Sequence, residues 1–343
     1  MANEDKIINE LPISIYDRMI SKLPFFGQIF WVIFSVFLFL IFLLLAILTS
    51  GSMSYIIMPI SASFMIAFLP IVYTSISKKL SAFGDVLLNI VNQPESEIRH
   101  WYQSHLKKIF FPARMCVFGV IFAVLFVCST GTASNWWRYP VSWFDSNACS
   151  IYLSFMTAVA GFMGGTGIHI LFYTALMVYR LPELKLKIIV FQHPVHSIKA
   201  IGRMYMNIAL MVAIAEMAFI ITFISSPLKL TLFIALWLTA IGFIAVIYFF
   251  APLLRIHKKM SNMKHELMNQ FSLSLEETFR AVIKGADSEN TKRLRELMEI
   301  RTHLNKMSEW PFDTDIVIKL VSAVIIPIVV LLIQAKDILK SIF

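Results

Sequence analysis

Residues 25–49 read FFGQIFWVIFSVFLFLIFLLLAILT, a run without a charged side chain. A helix needs about 20 mainly apolar residues to cross the hydrocarbon layer of a bilayer, so this run is long enough to span a membrane. Six further windows of this kind are 53–74, 109–130, 150–178, 203–224, 228–250 and 313–334. Backbone polar groups find no water in lipid, so each window is predicted to be helical. The sequence therefore predicts an all-α, polytopic membrane protein with about seven transmembrane helices.

The composition supports lipid as the main solvent of this chain. Of its 343 residues 58% are hydrophobic, and the mean hydropathy is +0.74. Charged residues make up 15%, against roughly 25% in soluble domains. The net charge is +9, but the basic residues flank apolar spans. The expected partner is therefore the anionic surface of the lipid bilayer, and no nucleic acid is predicted.

The positions of Lys and Arg predict the orientation of the spans. All 30 of them fall on one side of the predicted membrane except Arg138, Lys229, Lys336 and Lys340. Because cytoplasmic flanks are enriched in these residues, the amino terminus is predicted to be cytoplasmic and the carboxyl terminus outside. The expected location is the plasma (inner) membrane. No small-residue cleavage site follows the first span, so that span is predicted to be retained.

The chain divides into three predicted regions, a membrane bundle (1–250), a cytoplasmic helical hairpin (251–312) and a last span with an outer tail (313–343). Apolar residues at helical spacing mark the first hairpin helix: Met260, Met263, Leu267, Phe271, Leu275, Phe279 and Val282. Gly285 is predicted to end it, and a narrower seam follows at Leu294, Leu297, Leu304 and Met307. Such stripes pack either within one chain or between subunits.

Two ionisable residues and two glycines stand out at membrane depth. His169 in the fourth window and Glu216 in the fifth are costly in lipid, and they are expected either to pair or to line an aqueous cavity. Gly161 and Gly165 have the spacing that lets two helices approach closely. Helix packing is the favoured interpretation of these glycines, and a flexible helix or substrate cavity is the alternative.

The start of the last window contains two carboxylates, Asp313 and Asp315. Near a helix amino terminus they stabilise the helix dipole. If the last spans of several subunits surround an axis, the same carboxylates form an acidic ring at the mouth of a cation pore. Ser322 and Gln334 would then be polar positions on the pore wall.

Enzymatic chemistry is not predicted. No phosphate-binding loop, nucleophile elbow or zinc-protease motif occurs, and the histidines do not make the clusters that a di-iron site needs. No cofactor and no metal are therefore expected. Of the three cysteines, Cys116, Cys128 and Cys149, the last two flank a predicted outer loop. A bridge between them and buried thiols both remain open.

The predicted layout has seven helices, a cytoplasmic amino terminus, a long cytoplasmic extension of the sixth helix, and a last helix divided into a cytoplasmic and a membrane part. It resembles the seven-transmembrane ion-channel superfamily typified by insect odorant and gustatory receptors. The last helix in that family often contains Thr-Tyr, five apolar residues and Gln-Phe; of this pattern the chain has the apolar run 329–333 and Gln334. The resemblance implies a tetramer held by the cytoplasmic helices, with the last helix lining a cation pore.

The sequence thus favours a homo-oligomeric cation channel, with a tetramer expected and the permeating ion or ligand unknown. One alternative is a transporter of small solutes with a site between the fourth and fifth predicted transmembrane helices (150–178 and 203–224), built on His169 and Glu216. The other is a membrane scaffold or sensor whose cytoplasmic helices recruit a soluble partner.

Overall fold

The computed structural model describes residues 29–48, 56–134, 147–185, 202, 204–208, 210, 232–285 and 288–306, together with Ile318 and Ser322. Of these residues 94% are helical and none forms a strand, so the predicted all-α class is confirmed for this part of the chain. Its long helices are α1 (Ile29–Leu48), α2 (Ile57–Ile90), α3 (Glu95–Ile109), α4 (Pro112–Ser134), α5 (Asn147–Arg180), α6 (Leu232–Ile283) and α7 (Ser288–Lys306). A 3₁₀ turn, Leu181–Glu183, follows α5 directly.

Four helical segments among the described residues are long and apolar enough to cross a membrane. They overlap the first four predicted windows, and α1 lies entirely within the window 25–49. The window 228–250 overlaps α6, whereas 203–224 and 313–334 lie almost entirely outside the described residues. The chain is therefore a membrane protein by length and composition of its helices, while the count of seven spans stays a prediction.

Helices α2 and α5 are longer than a bilayer requires. Each has 34 residues, which corresponds to about 51 Å against a hydrocarbon thickness of about 30 Å. The segment 75–108, which lies between the second and third predicted windows, consists of the end of α2, a short turn and α3. The fall in hydropathy after residue 74 marks the end of the apolar segment and not the end of the helix.

Helix α3 folds back along the end of α2. The Tyr102 hydroxyl donates to the Leu80 carbonyl on α2, and the Tyr102 ring lies over Gly84. A Cβ atom at Gly84 would lie 3.0 Å from the Tyr102 ring. The glycine therefore allows the close approach of the two helices at this point.

The contacts of α5 define the directions of its neighbours. The Tyr73 hydroxyl of α2 donates to the Met163 carbonyl of α5 over 2.7 Å. Just beyond the carboxyl ends of these two helices, the Asn92 N–H donates to the Lys185 carbonyl over 2.6 Å. Helices α2 and α5 are therefore parallel.

Helix α6 is parallel to α5 as well. Its Tyr248 hydroxyl accepts the Ala175 N–H at 3.1 Å. Farther toward the carboxyl ends of both helices, Arg255 of α6 contacts Tyr179 of α5. The basic extensions of α2, α5 and α6 consequently lie at one end of the bundle, here called the basic end. They contribute Lys78, Lys79, Arg180, Lys185, Arg255, Lys258 and Lys259.

Helix α6 continues far beyond the bundle. Its 52 residues correspond to about 78 Å, so the boundary predicted at 250/251 falls inside one helix. Gly285, with φ of +86°, ends it as the sequence predicts. Helix α7 then returns antiparallel to α6: the Lys264 ammonium donates to the Asn305 carbonyl over 3.3 Å, and Leu304 is buried. From here on, "the hairpin" means residues 258–306, which form part of the predicted hairpin region 251–312.

Candidate functional site

Four of the predicted site residues are described: His169, Gly161, Gly165 and Ser322. Ser322 is helical and half-buried. The other four, Asp313, Asp315, Gln334 and Glu216, lie outside the described residues. Three of the four described positions lie on α5.

His169 is fully buried on α5. Its ring provides a hydrogen-bond donor in place of a backbone N–H that a proline lacks. Its Nε2 atom lies 3.2 Å from the carbonyl oxygen of Lys108, in the last turn of α3. In a continuous helix that carbonyl would accept from the N–H four residues onward, but residue 112 is proline, which has none. Because a carbonyl can only accept, Nε2 carries the proton and donates.

The rest of the His169 ring lies between two aromatic side chains. Its centroid is 5.3 Å from that of Phe118 and 4.6 Å from that of Tyr173. The second ring nitrogen, Nδ1, is buried and has no hydrogen-bond partner among the described residues. The imidazole therefore satisfies the Lys108 carbonyl at the junction between α3 and α4. Its Nδ1 atom remains an acceptor without a donor among the described residues.

A second proline is compensated in the same way. Pro252 lies inside α6 and leaves the Tyr248 carbonyl without its helical donor. The buried Tyr205 hydroxyl donates to this carbonyl over 2.8 Å. Two carbonyls that lose their helical donor to a proline are therefore satisfied by side chains from distant segments, since a buried acceptor without a partner is costly.

Gly161 and Gly165 lie where α5 packs closely against the backbone of α4. A Cβ atom at Gly161 would lie 2.9 Å from the Phe122 carbonyl oxygen of α4, and one at Gly165 would contact the Phe118 carbonyl oxygen. Since the obstacles include backbone atoms, the two helices would have to separate to accept any side chain. The positions thus act as packing surfaces in the described fold, with no opening between α4 and α5 at these two residues.

The sequence did not single out Tyr73, although it is buried and joins two spans. Its hydroxyl donates to the Met163 carbonyl, to which the Thr166 hydroxyl also donates over 2.8 Å. The same hydroxyl lies against Gly167. A tyrosine inside an apolar window, opposite a glycine-rich one, is the signal from which this contact was predictable.

The basic end contains two arginines placed over tyrosines of α5. Arg255 lies 4.4 Å from the Tyr179 ring centroid, donates to the Tyr179 carbonyl and faces the Glu183 carboxylate at 3.4 Å. Arg114 donates to the Tyr173 hydroxyl over 3.0 Å, but no carboxylate of the described residues pairs with it. The two guanidinium groups therefore differ in charge compensation.

The cysteines remain thiols, so Cys128 and Cys149 do not form the bridge that their positions left open. Cys149 is buried, whereas Cys116 and Cys128 are exposed.

No family model matches the chain, and neither a curated protein nor a solved structure is significantly similar to it. The helical fold of the described residues and the composition define its class as a helical membrane protein.

Proposed function

We propose that the protein is a homo-oligomeric ion channel that conducts cations, with the last span, 313–334, lining the pore. A tetramer is the state that the resemblance to the odorant and gustatory receptor superfamily implies. In this arrangement the hairpin lies in the cytoplasm and holds the subunits together.

The observation that carries the proposal is the apolar surface of the hairpin. Leu273 is 64% exposed, Ile283 is 68% exposed, and Phe279 and Met298 are about half exposed. These side chains lie far from the apolar spans, on helices whose other exposed residues are mainly polar. Large apolar groups left in water favour association, and further copies of the same hairpin are the occupants that a homo-oligomer supplies.

The proposed pore rests on the residues that begin the last span. In a symmetric oligomer, Asp313 and Asp315 of each copy form an acidic ring that concentrates cations at one mouth. Ser322 and Gln334 provide polar groups farther along the wall. Conductance in planar bilayers, combined with particle images that count the subunits around the axis, tests this arrangement.

Replacing Asp313 and Asp315 together by asparagine is expected to lower cation conductance several-fold and to weaken selectivity over anions, because the local cation concentration falls. Single-channel recording in planar bilayers measures both quantities. The matched control is Asp85→Asn, an exposed position on α2, which should leave them unchanged. Equal effects of the two changes would contradict the acidic ring, and the absence of conductance together with a monomeric mass would contradict the channel.

The Phe279→Asp substitution is expected to dissociate the oligomer. Burial of a phenylalanine side chain contributes about 1.5–3 kcal/mol, so its loss at each contact should weaken association about tenfold or more. Light scattering of the purified chain in detergent gives the mass. Gln270→Asp, an exposed polar position on the same helix, introduces the same charge and should retain the oligomer. An unchanged mass of Phe279→Asp would remove the hairpin as the subunit contact.

A transporter is the second candidate, because the buried Nδ1 atom of His169 has no partner among the described residues. Such a nitrogen can accept a proton or a hydrogen bond from a solute that reaches it. Under this alternative Glu216 shares the site, so Glu216→Gln should alter the pH dependence of flux. An unaltered dependence would exclude this pair as a transport site.

A further inference from the structure

The junction between α3 and α4 leaves a cationic side chain exposed at the start of a membrane helix. Phe111 precedes a proline, a position that disfavours helix, and the chain from Phe111 to Arg114 is exposed throughout. The Arg114 guanidinium is oriented by the Tyr173 hydroxyl at 3.0 Å. It also lies 5.3 Å from the Phe111 ring centroid. The group is thus held in place from one side and open on the other.

The charge at this junction is not compensated within the described part of the chain. Arg99 pairs with Glu95 at 2.6 Å and Arg255 with Glu183, whereas no carboxylate of the described residues lies within ion-pair distance of Arg114. Lys107 and Lys108, also exposed, end the preceding helix and likewise have no ion pair among the described residues. Three cations within eight residues of sequence, none of them paired with an anion of the described residues, favour an external anionic group.

The same face of α4 continues as apolar surface. Val117, Ile121 and Val124 follow Arg114 at three- and four-residue spacing, and all three are exposed. Residues at this spacing lie along one side of a helix. A cation followed by an exposed apolar stripe along a membrane span matches a ligand with an anionic head and a hydrocarbon tail, and it does not match a free anion.

We propose that the α3–α4 junction is a binding site for an anionic phospholipid. Its phosphate is bound by the Arg114 guanidinium, with Lys107 and Lys108 adding positive charge, and an acyl chain lies along Val117, Ile121 and Val124. The planar guanidinium suits a phosphate better than an ammonium does, because it donates two parallel hydrogen bonds. This site requires that α4 crosses the membrane, but it does not require that the protein is a channel.

Native mass spectrometry of the purified full-length chain, titrated with phosphatidylglycerol or phosphatidylcholine in one detergent, tests the site. The unaltered chain is expected to prefer phosphatidylglycerol. Arg114→Gln should weaken that binding about fivefold, as expected for removal of one basic group near the lipid surface. Arg99→Gln removes the same charge from an arginine that is already paired, and it should change binding less than about twofold.

A second variant protects the test against misfolding of Arg114→Gln. The double change Lys107→Gln and Lys108→Gln alters two exposed side chains and should also reduce phosphatidylglycerol binding. Equal binding of the two lipids, or equal losses in Arg114→Gln and Arg99→Gln, would overturn the proposal. Inorganic phosphate at millimolar concentration should not displace the lipid; displacement would show a site for the phosphate group and not for a phospholipid.

Discussion

Replacing Gly165 by alanine is expected to lower the free energy of unfolding of the bundle by about 2–3 kcal/mol, the upper part of the usual range for overpacking. The added methyl group would contact the Phe118 carbonyl oxygen and lie 2.8 Å from the Phe122 Cβ atom. Neither of these atoms can move without moving α4. Thermal unfolding of the purified chain in detergent, monitored by size-exclusion chromatography, measures the loss of stability.

Gly164 supplies a matched control one residue away. A Cβ atom there has no neighbour within 4 Å, so Gly164→Ala brings the better helix propensity of alanine without a clash. Gly165→Ala should therefore lower the free energy of unfolding, whereas Gly164→Ala should raise it or leave it unchanged. Equal effects at Gly164 and Gly165 would show that α4 and α5 are not in the contact described.

Tyr205→Phe is expected to lower the free energy of unfolding by about 1–3 kcal/mol, the desolvation penalty of a buried acceptor left without a partner. The substitution removes the hydroxyl that donates to the Tyr248 carbonyl and keeps the ring. Unfolding in detergent, as for the glycine variants, gives the value.

The cause of this loss is tested by combining Tyr205→Phe with Pro252→Ala. Alanine restores an N–H that can donate to the Tyr248 carbonyl within α6, so the tyrosine hydroxyl should then matter much less. A coupling free energy of at least about 1 kcal/mol in this double-mutant cycle is expected for groups that share one partner. Additive effects would mean that Tyr205 stabilises the bundle by other contacts.

Much of the fold was predictable, because apolar length alone specifies helices in lipid. The window 25–49 anticipated α1 to within a few residues at each end. The window 53–74 found the apolar part of α2 but missed its extension to Ile90. Hydropathy reports where a helix leaves lipid, whereas its end depends on local contacts such as the one between Gly84 and Tyr102.

The candidate site was less predictable, since its contacts join residues far apart in the sequence. His169 was identified as costly at membrane depth, but its acceptor, the Lys108 carbonyl, is a backbone group that no side-chain pattern marks. The signal was Pro112, four residues beyond that carbonyl. Pro252 likewise marks the Tyr248 carbonyl four residues before it, although it does not indicate Tyr205 as the donor.

The two compensated prolines have different consequences while the chain is being synthesised, since domains form from the amino terminus onward. Tyr205 precedes Pro252, so the donor for α6 has already left the ribosome when that helix emerges. His169 follows Pro112, so the Lys108 carbonyl has no such donor until α5 has been inserted. A nascent chain arrested before residue 169 should therefore hold its third span in an immature state, which translation of the next span completes.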